Sequence, residues 1–226
     1  MLRKQLEEQG FAIERDVFAA SEIALLLGEL RVADLPRSRA GIRHAMQHAS
    51  VARIARDTRL LGLAQEVLGA AAIPFRATLF DKSPISNWLV AWHQDTALPL
   101  RERKEVAGWG PWSVKDGVIY AHAPASALSQ VLALRLHLDD SRTESGPLRV
   151  LPGTHQRGVL TDDEMSKLAG ELPANECTVN AGGVLLMRPL IVHASSKSRS
   201  EMPRRVLHIE YGAKRILAAG LELAIA

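Results

Sequence analysis

One cysteine, Cys177, is present in 226 residues, which excludes an intrachain disulfide framework and any zinc site built from several thiolates. Charge of one sign is not in excess either. Twenty-eight Lys and Arg face 25 Asp and Glu, so the pI near 9.2 reflects a surplus of +3. No basic block is present, and neither nucleic acid nor an anionic membrane is implied. No stretch approaches the roughly 18 consecutive apolar residues of a membrane span. Met1–Gln9 lacks the apolar core of a signal peptide, and the apolar Ile216–Ala226 is short and carries Glu222. These absences lead to the expectation of a soluble cytoplasmic protein. Aromatics make up only 4%, yet all four tryptophans (Trp88, Trp92, Trp109 and Trp112) fall within one short stretch.

At 47% hydrophobic and 23% charged residues, the chain is neither disordered, collagen-like nor a coiled coil. Its length suits one large domain, and no linker divides it, so residues 1–226 are expected to form a single domain. Helical signals fill the first part. Ser21 is placed to cap a helix with Ile23, Leu26, Leu27 and Leu30 at helical spacing, and Asp57 or Thr58 to cap another closed by Gly69. Pro36–Gly41 between them reads as a basic, breaker-rich loop. From residue 74 the texture changes to short strands, expected at 75–82, 88–93, 130–138, 148–151, 177–179, 184–187, 190–193 and 205–211. A capping box, Thr161 with Glu164, marks one helix among them, with Gly170 as its stop. The pattern predicts an α+β fold, a barrel or sandwich of strands (about 74–212) behind a helical layer (1–73). Residues 96–129 are rich in Gly and Pro and are expected to form a lid loop. There Trp109 and Trp112 are candidates for substrate contact, and His122 for substrate contact or plain surface. Trp88 and Trp92 read as core or site residues with equal weight.

With thiolates excluded, a metal would have to use imidazole and carboxylate. Eight histidines are available: His44, His48, His93, His122, His137, His155, His193 and His208. In Trp92-His93-Gln94-Asp95, residues two apart on a strand share a face, so His93 and Asp95 converge. His193 closes the apolar run Leu190-Ile191-Val192. Two imidazoles and one carboxylate form a facial triad suited to Fe(II), with open positions for oxygen chemistry. Zinc suits the same donors, which leaves a zinc hydrolase as an alternative. A metal-binding jelly roll without oxygenase activity is another. Pro203-Arg204-Arg205 opens the last strand, and a guanidinium there can grip a carboxylate in two-pronged fashion. Arg204 shares a mixed face with Val206, His208 and Glu210, whereas Arg205 shares a packing face with Leu207, Ile209 and Tyr211. Arg204 is therefore the preferred clamp.

Together, Trp92-His93-Gln94-Asp95, the run from Gly146-Pro147-Leu148 to Pro152-Gly153-Thr154-His155, Val192-His193-Ala194-Ser195 and Pro203-Arg204-Arg205-Val206-Leu207 resemble the phytanoyl-CoA dioxygenase family. The resemblance runs from about residue 74 to 212. It implies a double-stranded β-helix (jelly roll) and a dioxygenase using Fe(II), 2-oxoglutarate and O2, which hydroxylates a small molecule and releases succinate and CO2. His93, Asp95 and His193 would then be the iron ligands. Arg204 and Ser195 would hold 2-oxoglutarate, with Lys82 and Asn87 as further contacts. Asp95 also favours hydroxylation over halogenation, because related halogenases carry a small residue in its place. The remaining histidines have blander readings. His44 and His48 lack the Glu of a zinc protease motif, His155 is a turn residue, His208 a hydrogen-bonded core residue, and His137 lines the barrel or faces solvent.

Overall fold

The computed structural model describes residues 1–32, 41–217 and 220–226, so Pro36–Ala40 of the expected basic loop lies outside the described residues. Four helices come first: α1 (Leu2–Glu8), α2 (Ala20–Val32), α3 (Ala49–Ile54) and α4 (Thr58–Leu68), interleaved with strands β1 (Phe11–Glu14) and β2 (Gly41–Ile42). Asp57 caps α4 by accepting from the Arg59 amide at 2.9 Å, and Gly69 follows it with φ at +99°. At α2 the cap is not the expected Ser21. The helix begins at Ala20, and the Glu22 carboxylate accepts from the Ala19 amide.

The strands that follow are β3 (Ile73–Lys82), β4 (Val90–His93), β5 (Ala97–Leu100), β6 (Trp112–Lys115), β7 (Val118–His122), β8 (Val131–His137), β9 (Leu148–Val150), β10 (Asn175–Cys177), β11 (Val184–Met187), β12 (His193–Ser195) and β13 (Arg204–Gly212). Helix α5 (Ala125–Leu128) precedes β8, and α6 (Asp162–Glu171) lies between β9 and β10. The Thr161–Glu164 capping box opens α6, but the helix passes Gly170 and stops at Leu172.

Two antiparallel sheets face each other in a double-stranded β-helix. One has the order β1-β11-β8-β13-β3-β2 and the other β10-β9-β12-β4. Alternation along the central strands explains the layering. Ala77 and Leu79 of β3, Leu132, Leu134 and Leu136 of β8, and Leu207, Ile209 and Tyr211 of β13 share one buried cluster with Leu26, Leu30, Leu60, Ala64 and Val67 of the helices. The opposite face of the same strands carries Arg76, Thr78, Phe80, Lys82, Arg135, Arg204 and His208, which line a cavity. The sheet is thus apolar toward the helices and charged toward the barrel interior. Tyr211 ties the layers together by donating to the Ala55 carbonyl at 2.8 Å. Tyr211→Phe is expected to cost about 1 kcal/mol and to lower Tm by about 2–4 °C in a chain of this size, which a thermal melt measures.

Two expectations change. β1 and β2, missed among the helical signals, join the edges of the larger sheet. They have four and two residues, too few for a periodic pattern, and their pairing is set by the neighbouring strands. Residues 96–129 are not an open lid loop. They hold the antiparallel sheet β5-β7-β6 and helix α5. Between β6 and β7, Asp116 and Gly117 both have positive φ, 50° and 80°, as a two-residue hairpin turn requires.

Candidate metal centre and active site

β12 pairs with β4 so that His193 lies directly opposite His93, and their rings are 4.1 Å apart. Asp95 follows β4 by two residues, its amide bonded to the Pro189 carbonyl at 2.9 Å. Its Oδ1 is 3.8 Å from His93 Nε2 and its Oδ2 is 3.6 Å from His193 Nε2. One ligand atom from each of the three residues lies within 4.8 Å of the others. Nδ1 of His93 donates to the Ala91 carbonyl at 2.9 Å, and Nδ1 of His193 to that of Ile191 at 2.8 Å. These bonds fix the tautomers and leave both Nε2 lone pairs aimed inward. Burial, and then the neighbouring His93, push the His193 imidazole down to about 4, so it is neutral at physiological pH, as ligation requires. Burial works against the Asp95 carboxylate, but His193, His93, His208 and Arg76 outweigh it and hold the group well below its usual range.

Gln94 locks the segment carrying His93 and Asp95 to the one leading to His193. Its Nε2 donates to the carbonyls of Gly158 at 2.9 Å and Leu190 at 2.7 Å, while its Oε1 accepts from the Leu160 amide at 2.8 Å. Removing such a support from beneath ligands typically costs 10–100-fold in metal affinity. Gln94→Ala is expected to weaken Fe(II) binding by about that factor while the fold is retained, as calorimetric titration and circular dichroism would show.

Beside the triad lies a cavity of about 150 Å³, lined by Lys82, Arg135, Arg204 and Ser195 among others. Arg204 pairs with Lys82 across β13 and β3. Lys82 Nζ donates to Ser195 Oγ at 2.9 Å and to the Ser196 carbonyl at 2.6 Å. Arg204 Nη2 reaches the same Ser195 Oγ at 3.4 Å, and Ser195 Oγ donates to the Gly146 carbonyl at 3.1 Å. Gly146 has φ at +62°, and a Cβ there would sit 2.4 Å from the Ser196 carbonyl oxygen. Only glycine allows that close approach. Arg135 donates to His208 Nδ1 at 3.0 Å. Burial, then Arg204 and Arg135, lower Lys82 to about 7; burial and then Arg135 lower Arg204 to about 10; burial alone lowers Arg135 to about 10. Nε of Arg204 and Nε of Arg135 are buried without a hydrogen-bond partner among the described residues. Unpaired buried donors of this kind are rare, and a cluster of them describes a receptor for an anion.

The sequence profile of the family described as Phytanoyl-CoA dioxygenase (PhyH) matches residues 6–206. The chain belongs to the phytanoyl-CoA dioxygenase family. Among curated family relatives, L-proline trans-4-hydroxylase of Streptomyces griseoviridis is 27% identical over 186 residues, covering 71% of this chain and 62% of the relative. Ectoine dioxygenase of Nocardia farcinica is 24% identical over 178 residues, covering 69% and 53%. The chain therefore spans little more than half of the length of these relatives. EctD from S. alaskensis with bound Fe has a TM-score of 0.72 at 21% identity, over 99% of this chain and 78% of that one. The epimerase SnoN in complex with Fe3+, alpha ketoglutarate and nogalamycin RO has a TM-score of 0.73 at 20% identity, over 96% and 84%. At such identity the likeness is one of fold.

The other residues singled out in the sequence separate within this family fold. Asn87 is committed elsewhere: its Nδ2 donates to the Ser198 carbonyl and its Oδ1 accepts from the Ser198 amide, each at 2.8 Å. It staples a loop and does not line the cavity. Trp109 is buried with Leu98, Leu100, Ala121 and Leu128, and Trp112 packs on that cluster, so neither faces the cavity. His122 is exposed, 2.7 Å from Thr96 Oγ1 through Nδ1, and also lies off the cavity. Of the other tryptophans, Trp88 lines the cavity with Lys82 Nζ 5.3 Å from its ring centre, whereas Trp92 packs beside α6. Arg205 pairs with Asp139 at 2.7 Å through both Nε and Nη2. Arg76, Thr78, Phe80 and Arg135 were missed. The signal lay in the period of two, which puts Arg76, Thr78 and Phe80 in phase with Lys82 and Arg135 in phase with His137.

Proposed function

We propose that the protein is an Fe(II)- and 2-oxoglutarate-dependent oxygenase that hydroxylates a small molecule, with succinate and CO2 as coproducts. The observation that carries this reading is the juxtaposition of a two-histidine, one-carboxylate cluster with buried, unpaired guanidinium nitrogens in one cavity. A hydrolase using the same three donors has no use for a buried clamp shaped for a dicarboxylate.

His93, Asp95 and His193 would hold the iron, whose chemistry when bound is the activation of O2 coupled to oxidative decarboxylation of 2-oxoglutarate. The chain supplies the rest. Arg204 offers its guanidinium fork to the distal carboxylate, and Ser195 and Lys82 border the same place. His208, held as an acceptor by Arg135, stays neutral because burial, and then Arg135, lower it well below its ordinary value. The helical layer covers the opposite, apolar face of the larger sheet, so the cations of β3, β8 and β13 project into a poorly solvated space that strengthens each charge within it.

Anaerobic titration of the protein with Fe(II) and then 2-oxoglutarate tests the reading. A weak visible charge-transfer band should appear only with both present, and admission of O2 should release succinate. No band and no oxygen-dependent succinate would overturn it. The relatives' printed substrates, L-proline and ectoine, are starting points for a substrate screen.

A further inference from the structure

A second cavity adjoins the first, sharing Arg76, Thr78 and Phe80 in its lining, and is otherwise lined by Arg43, His44, Lys115 and Tyr120. Resting on the oxygenase reading, we propose that this vestibule is where the substrate is seated, and that the substrate is a small molecule bearing a carboxylate or phosphate held by Arg43 and Lys115.

Charge balance supports this. The inner cavity presents four cations, Arg76, Lys82, Arg135 and Arg204, and one carboxylate, Asp95. Glu210, which forms an ion pair with Arg76, supplies a second. Iron(II) and a 2-oxoglutarate dianion cancel each other, so two positive charges remain after both have bound. The vestibule adds Arg43 and Lys115, and neither forms an ion pair with any described residue. One carboxylate, Asp116, acts on His44 from the β6–β7 turn, fewer than the cations it faces. Burial, and the closeness of Arg43 and Arg76, lower the Lys115 ammonium below its ordinary value, the mark of a cation lacking a counter-ion.

The vestibule is also a built site. Tyr120 is 4% exposed and its hydroxyl lies 2.9 Å from His44 Nε2. Lys115 Nζ stands 5.1 Å and Arg76 Cζ 5.7 Å from the centre of the Tyr120 ring, within the range of cation–π attraction. Arg76 is anchored from behind by Glu210 and by the Ala97 carbonyl at 3.0 Å. Arg43 and Lys115 approach from different elements, the segment after β2 and the end of β6. An oxyanion between them would sit at the mouth, leaving the rest of a small molecule to extend past Thr78 toward the triad. The part of residues 96–129 that meets substrate is thereby the β6–β7 hairpin, through Lys115 and Tyr120, and not Trp109 or Trp112.

The test loads the protein with Mn(II), which accepts the same donor types as Fe(II), and 2-oxoglutarate. Acetate, and separately inorganic phosphate, are titrated in at fixed ionic strength while paramagnetic relaxation of their ¹H and ³¹P signals is read. Saturable relaxation by either anion is expected in the unmodified chain, with an apparent Kd raised at least about tenfold in the double variant Arg43→Gln/Lys115→Gln, as loss of a charge-assisted contact implies. A response to acetate alone points to a carboxylate substrate, and a response to phosphate alone to a phosphate ester. Both side chains are exposed, so the variant should fold, and unchanged Mn(II) affinity verifies it. No saturable relaxation, or equal affinity in the two proteins, overturns the vestibule assignment. If neither metal nor 2-oxoglutarate binds, the oxygenase reading has failed on its own, and calorimetry with the same anions on the same two proteins still decides the vestibule.

Discussion

Asp95→Ala is expected to abolish oxygen-dependent succinate release and to weaken Fe(II) binding by more than the roughly 10–100-fold that follows loss of an outer support. Among the described residues, Asp95 is the only carboxylate lining the inner cavity. Without it a divalent cation would have to enter a space already bounded by Arg76, Lys82, Arg135 and Arg204, with only two imidazoles as donors. Like charges in a poorly solvated cavity repel strongly, so the substitution removes both a ligand and the charge that makes the site tolerable to a cation. Anaerobic Fe(II) titration and the charge-transfer band with 2-oxoglutarate measure the first effect, and succinate release the second. Asp95→Asn separates them, because it keeps an oxygen donor and removes the charge. Retention of the band and of turnover in Asp95→Ala would remove Asp95 from the ligand set.

The three candidate ligands were legible in the sequence because strand alternation, a strictly local rule, singled out His93 and Asp95, although β4 ends at His93 and Asp95 is held beside it by the bond from its amide to the Pro189 carbonyl. His193 followed an apolar run and opens β12. The choice of Arg204 over Arg205 came from the same rule, and the pairing of Arg205 with Asp139 accounts for the arginine it set aside. What could not be read was the depth of each face. Alternation puts Arg76, Arg135 and Lys82 on one side of their strands but does not say that this side is the inside of a barrel. Four cations facing one cavity run against the expectation that interiors are apolar. The tryptophans misled for a related reason. Their place beside glycines and prolines in the expected lid marked Trp109 and Trp112 for substrate contact, yet Trp109 fills the core beneath the β5-β7-β6 sheet, while Trp88, which read equally as core or site, reaches the cavity. The Asp116-Gly117 turn between β-forming residues was a hairpin signal within the expected loop, obscured by the Gly and Pro residues before it.

A charged interior is sustained only if something of opposite charge occupies it, and that sets the size of the effect at Arg204. Removing one partner of a desolvated, hydrogen-bonded charge pair costs about 2–5 kcal/mol, so Arg204→Met is expected to raise the Kd for 2-oxoglutarate by a factor of roughly 30 to several thousand. Arg204→Lys should not restore it, because an ammonium cannot reproduce the planar fork. Lys82 gives the same site a pH dependence. Burial, then Arg204 and Arg135, hold its free-state value at about 7, whereas a bound dicarboxylate favours the charged ammonium and raises it. Between the free and the bound values, binding therefore takes up a proton, and affinity for 2-oxoglutarate falls as pH rises through that window, by up to about tenfold per unit. Below pH 7 Lys82 is charged in both states and its contribution is constant. Lys82→Met is expected to bind 2-oxoglutarate more weakly with a flatter profile from pH 7 to 9, and Arg204→Met to lose affinity at every pH. Calorimetric titration across that range measures both, and an unaltered pH slope in Lys82→Met would show that the proton is taken up elsewhere.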